Sequence, residues 1–206
     1  MEYIKDLSAL TDLEKIKDYI YMECHPIDDP IIIEKNLPFI QCGDIAITYN
    51  ICLEAEENLL KSVLITKEML EKYGITIDEL HQHVAQTASS ILKPVCEPID
   101  DSPFLRVTNS SNVGGASVMF YYDFLPDLSE ELGQNLFVIP VSINDILVCP
   151  DDGIVDPSDL EYSLQHCNDV HGSEHFLSDH IYYYDYDKHC LAQIVCESEE
   201  NISFLN

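Results

Sequence analysis

Positive charge is what this chain lacks most. Ten lysines and arginines stand against 38 aspartates and glutamates, leaving a formal net charge of −28 over 206 residues. Residues 107–206 hold 18 of the acids and a single base, Lys188. Carboxylates without intramolecular cations repel phosphates. Direct nucleic-acid binding and attachment to anionic membranes are therefore disfavoured, and basic protein surfaces are the natural partners. Long apolar runs are missing too, which excludes an ordinary membrane-spanning helix. The first residues, Met1-Glu-Tyr-Ile-Lys-Asp, have neither the basic nor the apolar region of a signal peptide. A cytoplasmic location is the expectation, with the eight cysteines (24, 42, 52, 96, 149, 167, 190 and 196) as reduced thiols. Cys52 and Cys149 sit in apolar, strand-like runs, where cysteine serves as a small hydrophobe.

Catalytic signatures are equally scarce. The glycine-containing loop Asn109–Ala116 has no lysine to meet a phosphate, so it reads as a tight connection and not as a P-loop. There is no Cys-x2-Cys, His-Glu-x2-His or Gly-x-Ser-x-Gly. His171 and His175 have one-face helical spacing for a metal, but Gly172 and Ser173 interrupt them. His166, Cys167, His180, His189 and Cys190 complete a scattered set with no ligand pattern. Nucleophilic catalysis needs a base and an oxyanion donor in place; Ser142 beside Asp145, or Cys149 with a remote histidine, can be assembled on paper, but chance co-occurrence explains both. The pairs Asp28-Asp29, Asp100-Asp101 and Asp151-Asp152 read as solvated loops. A calcium loop from Asp151 would put Asp156 and Tyr162 where glycine and glutamate belong. No catalytic, cofactor-binding or metal-ligating residue is assigned, and no enzyme is expected.

What the chain does have is a core. It is 46% apolar, with 12 tyrosines and 7 phenylalanines, enough for one α+β domain over residues 1–206. The expected elements begin with an amphipathic helix over 7–23, from Leu10, Leu13, Ile16 and Ile20. Strands follow at 44–53 and 62–66. Thr66 and Gly74 bracket a short helix, and Thr76 with Glu79 has capping-box spacing for a helix to about Ser90. Pro94, Pro98 and Pro103 punctuate a crossing segment. Residues 104–108 and 116–122 read as a hairpin, 125–132 as a helix ended by Gly133, and 136–141 and 145–149 as strands. Pro157 opens a helix to about Val170, 181–185 and 191–195 are strands, and 197–206 is a frayed tail. Paired strands between helices predict a mixed, mainly antiparallel sheet with helices packed on one side.

Three stretches carry a resemblance to a known family. They are Ile65-Thr-Lys-Glu-Met-Leu-Glu-Lys-Tyr-Gly-Ile-Thr with Glu79-Leu-His; Val107-Thr-Asn through Gly115-Ala to Met119-Phe-Tyr; and Phe137-Val-Ile-Pro-Val-Ser-Ile-Asn-Asp-Ile-Leu-Val with Leu177-Ser-Asp-His-Ile-Tyr-Tyr-Tyr-Asp downstream. Together they resemble an uncharacterised bacterial family, domain of unknown function 5688, found on mobile elements. The likeness departs at Val141-Ser-Ile-Asn-Asp145, where the family tends to have Ser-Ser-hydrophobic-His-Glu. It implies an α+β fold and supplies no activity or cofactor.

The resulting expectation is an acidic protein-binding inhibitor, a nucleic-acid mimic that blocks a host-defence nuclease of the anti-CRISPR or anti-restriction type. A housekeeping accessory protein and a small metal-dependent hydrolase are the alternatives. The residues assigned to the partner surface are Asp151, Asp152, Asp156, Asp159, Glu161, Asp179, Asp185, Asp187 and Tyr183. Tyr183 alternates to the face opposite Tyr182 and Tyr184; exposed tyrosine amid carboxylates suits a protein interface, and a buried edge strand is the equal alternative.

Overall fold

A computed structural model describes residue 4 and residues 7–171, 175–197 and 201–205. Its N-terminal segment corrects the expected long helix. A 3-10 turn, Leu7–Thr11, is followed by one α-helical turn, α1 (Leu13–Ile16), capped by Asp12, and by a second 3-10 turn, Lys17–Tyr19. The chain then enters strand β1 (Ile20–Pro26). Leu10, Leu13, Ile16 and Ile20 fit a helical period, but Ile20, Met22 and Cys24 also fit a period of two, and all three are buried. Pairing with a distant strand decides between the two readings.

Helix α2 (Pro30–Glu34) starts on the Asp29 carboxylate, which accepts the Ile31 N–H at 3.0 Å. Strands β2 (Ile40–Cys42), β3 (Ile45–Glu56) and β4 (Leu59–Leu64) complete a four-stranded sheet centred on β3. Strand β1 runs antiparallel to β3 from Ile20↔Ile51 to Pro26↔Ile45, while β2 and β4 also pair with β3. Helices α3 (Lys67–Tyr73) and α4 (Ile77–Ile91) follow as read. Thr66 Oγ1 accepts the Met69 N–H. Thr76 and Glu79 form a full capping box, with the Thr76 N–H donating to Glu79 Oε2 at 2.8 Å.

The second half builds a larger sheet. Its strands are β5 (Pro94–Pro98), β6 (Leu105–Asn109), β7 (Leu136–Ile139), β8 (Ile146–Pro150), β9 (Tyr182–Asp185), β10 (Cys190–Glu197) and β11 (Asn201–Leu205). The order is β11-β10-β9-β7-β8-β6-β5, and each described pair is antiparallel. Helices α5 (Phe124–Leu132) and α6 (Pro157–His171) lie between strands in the chain. The α+β class and the antiparallel pairing are as read from the sequence, but the strands divide between two sheets.

Three local expectations are corrected. Residues 116–122 do not pair with β6; Gly115–Phe120 is a 3-10 helix with Ala116, Val118 and Met119 all buried. The edges of β6 are taken by β5 and β8 instead. The proline-punctuated crossing segment is itself β5, an edge strand with prolines only at its ends, where a missing N–H costs no ladder bond. The expected frayed tail pairs with β10 through Asn201–Leu205, at Ile194↔Phe204 among others; residues 198–200 and 206 lie outside the described residues.

One core joins the two sheets. Met22, Tyr49 and Ile51 of the smaller sheet pack with Val138, Val148 and Tyr182 of the larger, together with Leu80 and Val84 of α4 and Leu125 of α5. A separate cluster on Phe137, Cys149, Ile181 and Ile194 is covered by Leu160 and Leu164 of α6. Polar groups tie the sheets as well. Tyr182 donates to Asp44 at 2.7 Å, and Ser178 donates to the same carboxylate at 2.8 Å. No helix among the described residues is long and apolar enough to cross a membrane.

Candidate functional site

Helix α6 and its flanking loops hold most of the acids assigned from sequence. Asp156 starts the helix, its Oδ1 accepting the Ser158 N–H at 2.8 Å. Asp159 follows in the first turn and is exposed. In the preceding loop, Asp152 Oδ1 accepts the Ile154 N–H at 2.9 Å and Asp151 Oδ1 accepts that of Gly153 at 3.1 Å. Glu161 meets His180 Nδ1 at 2.7 Å, and Asp179 accepts from Asn168 Nδ2 at 2.9 Å. Asp185 is paired with Lys188 at 2.6 Å in the turn after β9, which also contains Asp187.

Strand alternation buries Tyr182 and Tyr184 and turns Tyr183 to the other face, as the sequence implies. That face is covered, so Tyr183 is half-buried. Its ring lies 5.2 Å from that of Phe137 and its hydroxyl donates to Asp151 at 2.7 Å. Burial, together with the Asp151 and Asp185 carboxylates, pushes the Tyr183 phenol up to about 12. The apolar groups that do face solvent here are ones sequence reading passed over: Ile154 at 84% exposure, Tyr162 at 73% and Val170 at 65%. Leu160 and Leu164 point to the sheet, so position 162 falls between them on the outer side of the helix. The helical period of α6 was the signal that could have found it.

The second and third stretches of the family resemblance meet in a loop-to-loop lock. Thr108 Oγ1 donates to the Asn144 carbonyl at 2.8 Å, the Gly114 N–H to Asn144 Oδ1 at 2.9 Å, and the Ala116 N–H to the Ile143 carbonyl at 3.2 Å. Ser142 Oγ accepts the N–H groups of Asn144 and Asp145 at 3.0 and 3.1 Å. Arg106 bridges Glu97, at 2.8 Å, and Asp145. Ser142 therefore acts as a turn cap, and Asp145 is held by a cation. Cys149 is buried, and its thiol is pushed up to about 11 by burial and by Asp152 and Asp151, far from a thiolate nucleophile.

Two hollows lie elsewhere. One, of about 560 Å³, is lined by His25, Asp28, Asp29, Ile143 and Phe176. His25 Nδ1 lies 3.0 Å from Asp29, and its Nε2 is 4.0 Å from Glu23, which accepts from Asn50 at 2.5 Å. The other, of about 720 Å³, runs between α4 and residues 119–126 and also reaches Tyr184, His189 and Leu191. Among the described residues no group of three or more histidines, cysteines or carboxylates is arranged to hold a metal ion. The interrupted pair His171 and His175 has Gly172 and Ser173 outside the described residues.

Fold and site thus define an antiparallel α+β protein with an acidic outer helix and closed, self-satisfied loops. The chain belongs to the Family of unknown function (DUF5688), which matches residues 2–103 and 97–186. No curated protein and no solved structure matches it.

Proposed function

We propose that this protein works by docking its α6 face on a basic protein surface, as an acidic inhibitor and not as a catalyst. The observation that carries this reading is the exposure of Ile154, Tyr162 and Val170 among Asp152, Asp156, Asp159 and Asp169. None of these four carboxylates has a cationic partner among the described residues. Apolar anchors inside a charged rim are the anatomy of a protein interface, and the charge supplies steering toward a positive partner. The narrower form of the proposal is a nucleic-acid mimic that occupies the groove of a host-defence nuclease of the anti-CRISPR or anti-restriction type. In that case the partner is one that DNA or RNA also binds.

The test places a photo-crosslinking amino acid at position 162 and maps what it captures from lysate. Support requires a basic partner released by salt, consistent with a screening length of about 8 Å at physiological ionic strength. It also requires that capture by the tagged protein fall in Tyr162→Ala and in Asp156→Lys with Asp159→Lys. Capture that none of these substitutions changes would end the docking reading. Displacement by added DNA or RNA supports the mimic form, and its absence rejects that form alone.

A further inference from the structure

We propose that the groove between α4 and residues 119–126 binds a small, uncharged aromatic molecule that carries a hydrogen-bond acceptor. The hollow measures about 720 Å³ and is continuous in its lining with a second lobe of about 390 Å³, the two sharing Ala85, Tyr121, Tyr122 and Asp123. That size is in the range of small-molecule sites. Its walls are apolar and aromatic: Met119, Phe120, Leu125 and Leu191 line the larger lobe, and Tyr122 stands over both at 64% exposure. Offset or edge contacts with such rings favour a flat aromatic guest.

His81 on the lining is set as a hydrogen-bond donor. Tyr49, fully buried, sets its hydroxyl 2.8 Å from His81 Nδ1. Burial drives the Tyr49 phenol far up, so it keeps its proton, and burial also lowers the His81 pKa, so the ring stays neutral. Tyr49 is then the donor and Nδ1 the acceptor. The His81 proton must sit on Nε2, leaving an N–H to offer. The Tyr184 hydroxyl lies 3.2 Å from His189 Nδ1. Tyr121 contributes ring surface to the lining, its hydroxyl being enclosed in the core beside Ser117. Asp123 on both lobes, with Asp127 and Glu131 on the smaller one, repels an anionic guest.

The experiment uses the full chain and 6-propionyl-2-dimethylaminonaphthalene, an uncharged aromatic ketone whose emission shifts to the blue in an apolar site. Saturable binding is expected. 2-Acetylnaphthalene should displace the probe at lower concentration than 2-ethylnaphthalene, which lacks the acceptor, or 2-naphthoate, which is anionic. Tyr122→Ser, at an exposed position, should weaken binding roughly three- to tenfold through lost ring contact. Ala85→Trp should fill the groove and abolish binding with the far-ultraviolet dichroism unchanged. Binding that does not saturate, that survives both Tyr122→Ser and Ala85→Trp, or that treats the three competitors alike would overturn the proposal.

Discussion

Adjacent glycines at 114 and 115 sit in the loop lock for different reasons, and substituting each by alanine separates them. A Cβ on Gly115 would lie 2.2 Å from Thr108 Oγ1, 2.3 Å from the Asn144 carbonyl oxygen and 2.9 Å from the Asn109 nitrogen. Two of those three atoms are backbone, so no rotamer change relieves the contact. Ordinary separation requires the loops to part by roughly 1 Å. That movement would break the Thr108–Asn144 and Ala116–Ile143 hydrogen bonds. Overpacking costs about 1–3 kcal/mol, and each lost hydrogen bond adds about 1 kcal/mol. Gly115→Ala should therefore destabilise the protein by roughly 3–5 kcal/mol. For a chain of this length that lowers the melting temperature by roughly 10 °C. Gly114 has open space around its Cβ position but a φ of +64°, so Gly114→Ala costs only the backbone strain, about 1 kcal/mol. Thermal and urea unfolding of the two variants measure the difference. Equal losses, or a loss below about 1 kcal/mol for Gly115→Ala, would refute the close-approach argument.

The buried His81 binds its proton less readily in the folded state than in the unfolded chain. As pH falls through about 6.5 the unfolded chain takes up the proton first, so this part of the stability is present above that pH and lost below it. Melting temperature should drop less steeply between pH 7 and pH 5 in His81→Phe, against a pH-independent loss of about 1–3 kcal/mol from the orphaned Tyr49 hydroxyl. Alkylation with N-ethylmaleimide, followed by mass spectrometry, should label the exposed Cys167 first and the buried Cys24, Cys52 and Cys149 only on unfolding. Burial holds the Cys24 thiol well above its ordinary range and pushes Cys52 and Cys149 up to about 11. The paired change Asn144→His with Asp145→Glu, toward the pattern of the resembled family, should hold stability within about 1 kcal/mol. An imidazole nitrogen can accept the Gly114 N–H, and a glutamate can reach Arg106; a loss above about 3 kcal/mol would contradict that equivalence.

What was legible in the chain was local chemistry. The caps at Thr66, Thr76 and Asp156 each join a side chain to a backbone N–H two or three residues away, and the left-handed glycines at 74 and 133 close helices α3 and α5 where expected. The errors came where a distant partner decided. Residues 20–23 satisfy both periods until β3 pairs with them. Residues 116–122 look like a mate for β6, whose free edge is claimed by a strand some forty residues away. At the candidate surface, the acids could be read directly because charge is a property of the residue. The exposed apolar set needed one step more, the helical period of α6, which turns Tyr162 away from the sheet-facing Leu160 and Leu164. The aromatic groove was beyond reach: His81, Tyr121 and His189 lie more than a hundred residues apart end to end, and only the packing of α4 against the 3-10 segment and the β9–β10 turn assembles them.

The lock also explains why likeness to the family transmits shape more than task. Thr108, Asn109, Ser142 and Asn144 direct their hydrogen-bonding groups to backbone atoms of the two loops, and Asp145 is committed to Arg106. A group already satisfied in this way gives up about 1 kcal/mol for each bond it releases to a ligand, so these positions are poor places to find a binding site. They are good places to find a constraint on the fold, since they fix how the β7–β8 turn meets the end of β6 and, through the Ile143 N–H to the His175 carbonyl at 2.9 Å, the segment leading into β9. Under the proposed docking, contact with a partner falls to groups the fold leaves uncommitted. The solvent-facing Tyr162 is such a group, beside Asp152, Asp156, Asp159 and Asp169, which have no cationic partner among the described residues.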